Sequence, residues 1–187
     1  MSVAIIGHTR GIGAALMRQY YDNHPRGFSR STGTDIARRE DREKIVQACA
    51  DCDTVFVVAF SDEVKDAQHE MLVDLWNAYE YEEKRLVVIS SDSPDSWKGR
   101  MRKYPTYKKM IDHSAMQMSR LARPCSVINI KPGWVNTERS QKSKNSGLCI
   151  STESLALSIR RIVELPQDIR PASVTLLPDP KYGITHD

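Results

Sequence analysis

The sequence predicts an α/β protein built on one open, mostly parallel sheet, doubly wound with helices on both faces. Three observations carry that expectation. Short apolar runs alternate with longer stretches of helical periodicity along nearly the whole chain. The runs are continuous rather than alternating, as in strands covered on both faces. A glycine cluster (Gly7, Gly11 and Gly13) falls between the first run and the first helical stretch, where such sheets receive anions at a helix N-terminus. A length of 187 residues reads as a single domain, 1–187, with no room for a separate substrate domain. At this size about 70% of the unfolded surface is buried without disulfides or a structural metal. Hydrophobic residues at 40% and charged residues at 27% are ordinary for a globular chain. Lys+Arg 27 against Asp+Glu 24 leaves +3, too small a bias to argue for nucleic acid or a membrane surface. No run approaches the ~20 apolar residues of a membrane span, and the first apolar run stops at Gly7, so the chain reads as cytoplasmic.

Residues 3–6 read as a buried strand, and 11–21 as a helix with Ile12, Leu16 and Tyr20 on one face. Residues 26–29 form a weak second strand. A helix over 41–50 turns Ile45, Val46 and Cys49 inward. Residues 54–60, rich in β-branched and aromatic side chains, make a strand covered on both sides. A helix follows over 66–79, with Ala67, Met71, Leu75 and Tyr79 in register. The pattern continues as a strand at 86–89, a helix at 105–122, a strand at 125–130, a helix at 151–165 and a last strand at 173–177. Cys49-Ala50-Asp51-Cys52 has C-x-x-C spacing, but it closes a helix instead of opening one and lacks a second close pair. It is read as two ordinary cysteines, and no metal site is expected. The crossover between 26–29 and Asp35 is too short for a helix, so six good strands are expected in place of seven, with any third strand a stub.

Ligands of such sheets bind at the carboxyl ends of strands, and the informative residues lie there. Gly7-His8-Thr9-Arg10-Gly11-Ile12-Gly13 resembles the T-G-x-x-x-G-I-G loop of the short-chain dehydrogenase/reductase family, with Ile6 in place of the usual Thr. Ser91 ends a strand as the family's catalytic serine does. Tyr104-Pro105-Thr106-Tyr107-Lys108 matches its Y-x-x-x-K, 13 residues after Ser91. Asn129 to Thr137 is similar to its segment ending P-G-x-V-x-T, through Pro132, Gly133, Val135 and Thr137. The order and the gaps make the resemblance specific. It implies a Rossmann-like fold and hydride transfer between a nicotinamide cofactor and a small carbonyl or alcohol substrate.

By that resemblance Tyr104 is the general acid/base, Ser91 orients the carbonyl, and Lys108 bonds the nicotinamide ribose. Spacing supplies a physical reason, since residues four apart share a helix face and an ammonium beside a phenol favours its ionised form. Proline after Tyr104 makes a helix cap the expected place for that tyrosine. The cofactor contacts implied are Gly7, Thr9, Arg10, Gly11, Ile12, Gly13, Ser29, Arg30, Ser31, Asp35, Ile36, Ala59, Phe60, Tyr104, Lys108, Pro132, Gly133, Val135 and Thr137. No acid follows the second strand. Arg30, with Ser29, Ser31 and Arg10, fits a 2′-phosphate, so NADP(H) is expected over NAD(H).

Departures from the family are local. Val57-Val58-Ala59-Phe60 replaces N-N-A-G, so Phe60 either crowds the cofactor or packs on its adenosine. Asp74 stands for the relay asparagine and either orders a water or faces solvent. Lys98, Arg100, Arg102, Lys103, Lys108 and Lys109 form a basic run, and Arg139, Lys142 and Lys144 follow in a segment, 138–150, that reads as a substrate lid. These cations are either solvated charge or a preference for an acidic or phosphorylated substrate. Trp97 and Trp134 are candidate pocket walls. The alternative to an enzyme is a non-catalytic NADP(H) sensor with the same fold. A homo-oligomer, dimer or tetramer, would use the helices at 66–79 and 105–122.

Overall fold

The computed structural model describes residues 1–95, 103–141, 147–166 and 168–184. Its centre is a six-stranded, wholly parallel sheet in the order β2-β1-β3-β4-β5-β6. The strands are β1 (Val3–Ile6), β2 (Arg26–Phe28), β3 (Thr54–Val57), β4 (Arg85–Ile89), β5 (Ser126–Pro132) and β6 (Ser173–Leu176). Between them run α1 (Gly11–Gln19), α2 (Arg39–Ala48), α3 (Ala67–Tyr79), α4 (Lys103–Arg120), α5 (Glu138–Gln141) and α6 (Thr152–Val163). As the short crossover required, the chain passes from β2 through a 3-10 turn (Arg30–Thr32) to α2, and no strand forms between them.

Continuous apolar runs become strands because side chains alternate between two covered faces. Ala4, Ile6, Val55, Val57, Leu86 and Val88 pack against α2, α3 and α4. Val3, Ile5, Phe56, Val87, Ile89, Ile128 and Ile130 pack against α1 and α6. The strand expected over 54–60 ends at Val57. Val58 and Ala59 still donate to the Ile6 carbonyl, at 2.9 Å each, but Ala59 and Phe60 have turned out over the sheet edge. The helix expected from residue 105 runs from Lys103, so Tyr104 sits inside its first turn and not at its cap. Proline is tolerated there because first-turn N–H groups have no intrahelical acceptor.

Reversal of strand order between β1 and β3 opens a crevice at their carboxyl ends. Four buried cysteines are free thiols, and burial pushes Cys49 up to about 12, which keeps it protonated and inert. Among the described residues no group of acids, histidines or cysteines could hold a metal. No helix there is long and apolar enough to cross a membrane.

Candidate active site

The crevice begins at the loop after β1. Gly7 has φ +95°, and a Cβ there would stand 2.6 Å from the Ala59 backbone nitrogen. A Cβ on Gly13 would stand 2.0 Å from the Gly7 carbonyl oxygen. Both positions therefore exclude any side chain, which lets loop and helix close into a tight turn. The first N–H groups of α1 lack intrahelical acceptors, and this turn aligns them beside the crevice. Gly11 has φ +52°, and a Cβ there would stand 3.3 Å from the Thr137 methyl, so the segment after β5 folds back onto the glycine loop. One residue of this loop had no signal in the sequence. The His8 ring lies flat enough on β2 that a Cβ on Gly27 would come within 2.4 Å of it.

A cleft of about 180 Å³ opens beside the loop. Of the residues expected to touch a cofactor, Gly7, Thr9, Arg10, Ser29, Arg30, Ser31, Asp35, Ile36, Ala59 and Phe60 line it. Arg10 and Arg30 stand on its rim in loose, exposed ion pairs, with Glu138 and Glu63 at 3.8 Å each. Asp35 also accepts the Ala37 N–H at 3.0 Å, so it shapes its own turn while lining the cleft. Ile12 packs into the α1–α6 core, and Pro132 and Val135 are buried at the end of β5. Gly133 packs beside Leu177 and Pro178. None of these four lines the cleft. A second cleft, of about 220 Å³, lies between the start of α6 and the segment after β6 and holds none of the expected residues.

The reactive candidates meet at the ends of β4 and α4. Ser91 faces the Tyr104 phenol closely enough to act on its ionisation, and the Ser91 oxygen accepts the Ser93 N–H at 3.0 Å. Burial raises the Tyr104 phenol above the ordinary tyrosine range; the Ser91 hydroxyl and the Arg139 charge pull it back, and Asp62 adds to the rise. Lys108 lies one turn on, fully enclosed, with its ammonium 5.6 Å from the Tyr104 ring centre. It donates to Gln68 Oε1 at 2.7 Å and to the Ile89 carbonyl at 3.0 Å. Burial, helped by Arg139 and opposed by Asp112, lowers it to about 7. Desolvation disfavours its charged form, so near neutrality lysine is here a proton carrier as much as a fixed cation.

Gln68 is the residue that sequence reading missed. Fully buried on α3, it donates to the Val57 and Ile89 carbonyls at 3.0 and 2.9 Å and accepts from Lys108. Its signal was a polar side chain beside the inward stripe of Ala67, Met71 and Leu75. Asp74, expected at the relay position, is elsewhere. It pairs with Arg42 of α2 at 2.6 Å and ties two helices together away from the site. Below Lys108, the buried Asp112 carboxylate accepts from Ser90 at 2.5 Å and from Asn129 at 2.8 Å, so Asn129 anchors α4 to β5.

Phe60 joins the two halves. It lines the cleft and meets the Tyr104 ring edge-on at 5.2 Å between centres. Arg139, from α5, covers both rings, 4.6 Å from Phe60 and 5.6 Å from Tyr104. Trp134 is exposed beyond Gly133. Trp97, Lys98, Arg100, Arg102, Lys142 and Lys144 lie outside the described residues.

No protein-family model and no curated relative matches the sequence. Solved structures do match. A serine dehydrogenase complexed with NADP+ is 13% identical with a TM-score of 0.75, covering 94% of this chain and 94% of its own. A 3-alpha-hydroxysteroid dehydrogenase from a Pseudomonas species, complexed with NADH, is 15% identical with a TM-score of 0.76, covering 95% and 94%. A 3-ketoacyl-(acyl-carrier-protein) reductase from Brucella melitensis, also complexed with NADH, is 13% identical with a TM-score of 0.74, covering 94% and 96%. At such identities the likeness is one of architecture. With its switch-point crevice and parallel sheet, the chain has the fold of the short-chain dehydrogenase/reductases.

Proposed function

We propose that the protein is a member of the short-chain dehydrogenase/reductase family, an NADP(H)-dependent oxidoreductase interconverting a small carbonyl compound and its alcohol. The observation that carries the reading is the meeting of Ser91, Tyr104 and, one helical turn on, Lys108 beside a glycine-turn cleft at the strand switch point. The cleft suits the adenosine half of a dinucleotide. Gly7 and Gly13 leave no side chain in the way, and the start of α1 favours a pyrophosphate. Arg10 and Arg30, the arginines lining the cleft, are the groups on this reading that would meet a 2′-phosphate. Their loose carboxylate partners are exposed, and such pairs contribute little to stability. That arrangement favours NADP(H) over NAD(H).

When bound, the cofactor supplies or accepts the hydride. The chain's own groups do the rest. Ser91 holds the carbonyl oxygen, and the Tyr104 hydroxyl protonates it as the adjoining carbon takes hydride. Lys108, near 7, is placed to restore that proton from its side of the ring. Because burial holds Tyr104 protonated above the ordinary tyrosine range, reduction is expected to persist into alkaline pH. Alcohol oxidation, which needs the phenolate, is expected to climb with pH through the same interval. NADPH consumption against a panel of aldehydes and ketones, repeated with Tyr104→Phe, tests the proposal.

A second reading, an NADP(H)-binding protein without turnover, is favoured by one observation. Lys108 is tied to Gln68 and the Ile89 carbonyl, and Phe60 packs on Tyr104. Tight NADPH binding with no consumption across the panel would select it.

A further inference from the structure

Three basic side chains surround Phe60. Lys65, Lys108 and Arg139 all lie over its ring, at 5.7, 5.2 and 4.6 Å from the centre. Facing them from the outer side is a single carboxylate among the described residues, Asp62, which is shared by Arg139 at 2.7 Å and Lys65 at 3.3 Å. The other acid near Lys108, Asp112, lies one turn further along α4 and is held by Ser90 and Asn129. The other cations of the basic segments that can be followed are occupied elsewhere or remote. Lys109 and Lys131 both pair with Asp95, and Lys103 is exposed at the start of α4.

Arg139 is the cation positioned to meet a substrate. It stands 5.6 Å from the centre of the Tyr104 ring. Its guanidinium uses Nη2 for Asp62. A guanidinium carries five donors arranged to take a carboxylate through two of them at once. The pair with Asp62 is half-exposed on both sides, 51% and 69%, and solvent-exposed pairs of this kind are easily exchanged. The chain's own carboxylate thus already occupies the place a substrate carboxylate would take.

We propose that Arg139 is a specificity-determining residue that selects carbonyl substrates bearing a carboxylate next to, or one carbon removed from, the reacting carbonyl, and that Asp62 is the internal carboxylate such a substrate displaces. This rests on the reading of Ser91 and Tyr104 as the carbonyl site. The reaction would convert a 2-oxo or 3-oxo acid, NADPH and a proton into the hydroxy acid and NADP+. It excludes neutral ketones of the same shape as good substrates, because they offer the Arg139 guanidinium no carboxylate in exchange for Asp62.

Two measurements test it. Turnover compares pyruvate with pyruvamide and acetoacetate with acetoacetamide. Binding compares inert mimics, oxamate with oxamide and malonamate with malonamide, by calorimetry on the intact chain with and without NADPH. In each pair at least one acid should exceed its amide by about ten- to hundredfold, the range of a charge-assisted bidentate contact. Arg139→Gln should collapse that ratio toward one, Arg139→Lys should restore only part of it, and Asp62→Asn should raise it. Thermal melting of each variant confirms folding. Acids and amides equivalent in both measurements, or a ratio indifferent to Arg139, would overturn the proposal. Acid-selective binding that depends on Arg139 without any turnover would uphold the inference while removing the enzymatic reading. Turnover of neutral ketones with no acid preference would do the reverse.

Discussion

The two halves of the crevice are built differently. On the β1–β2 side the cleft is open, lined by glycine and serine, and its arginines are held at arm's length by exposed acids. On the β4–β5 side the reactive candidates are packed. Tyr104 meets Phe60, Lys108 is enclosed, and Arg139 closes over both rings onto Asp62. The first half is prepared to receive a charged ligand with little rearrangement. In the second, Phe60 and Arg139 stand where a ligand joining the halves must pass. The difference teaches that binding and chemistry can be uncoupled in this molecule, and substitutions can probe each side separately.

The largest expected effect lies on the packed side. Tyr104→Phe should lower kcat by about 10²–10⁴, the span of a lost general acid, while NADPH still binds at the open cleft. An unchanged rate would break the assignment of the two halves. On the open side, Arg30→Ala should weaken NADPH by about ten- to hundredfold, as loss of a charge-assisted bond does, and leave NADH affinity nearly unmoved. Equal losses for both cofactors would show that Arg30 does not face the 2′ position.

Gln68→Leu tests the support beneath the packed side. It takes the Gln68 amide donor from the Val57 and Ile89 carbonyls, leaving Ile89 only Lys108, and leaves Lys108 short of an acceptor, at a cost of about 1–3 kcal/mol measurable by denaturant titration. Lys108 adds a pH signature. Its folded value, about 7, lies below the ordinary lysine value of 10.5, so the unfolded chain binds more protons between the two. Wild-type stability should therefore rise with pH across that window relative to Lys108→Met, and run parallel to it below the window. A flat difference would mean that the lysine is not enclosed. The smallest effect is expected at the seam. Phe60→Ala removes an edge-on aromatic pair worth about 0.5–1.5 kcal/mol and should tighten NADPH severalfold by opening the passage. Weaker binding would instead make Phe60 a surface on which the cofactor packs.

Much of the open side could be read directly from residue order. Gly7 and Gly13 are legible because the turn and close approach at those positions exclude a Cβ, a constraint local enough to leave its mark in sequence. The short link from Phe28 to Asp35 likewise had room for no crossover helix, and the sheet has six strands. Arg30 follows a strand end and so reaches the cleft rim whatever else the chain does.

The packed side was legible only in part. Ser91, Tyr104 and Lys108 were identifiable through their resemblance to the family's motifs, whose spacing a strand end and a helical turn hold by local geometry. Their partners were not. Gln68 reads as one polar residue beside an apolar stripe, and only the packing of α3 between the ends of β3 and β4 aims its amide at two carbonyls and Lys108. Asp74 reads as a relay position by its place in the chain, but α2 lies against α3 and gives it to Arg42. Arg139 is one cation among many until α5 folds across the crevice. The sequence by itself determined the strands, the glycine turn and the order of the reactive candidates, since those follow from apolar period and backbone sterics. Packing set which cations are paired and which acid faces which base, because charge and desolvation act through space between segments far apart in the chain.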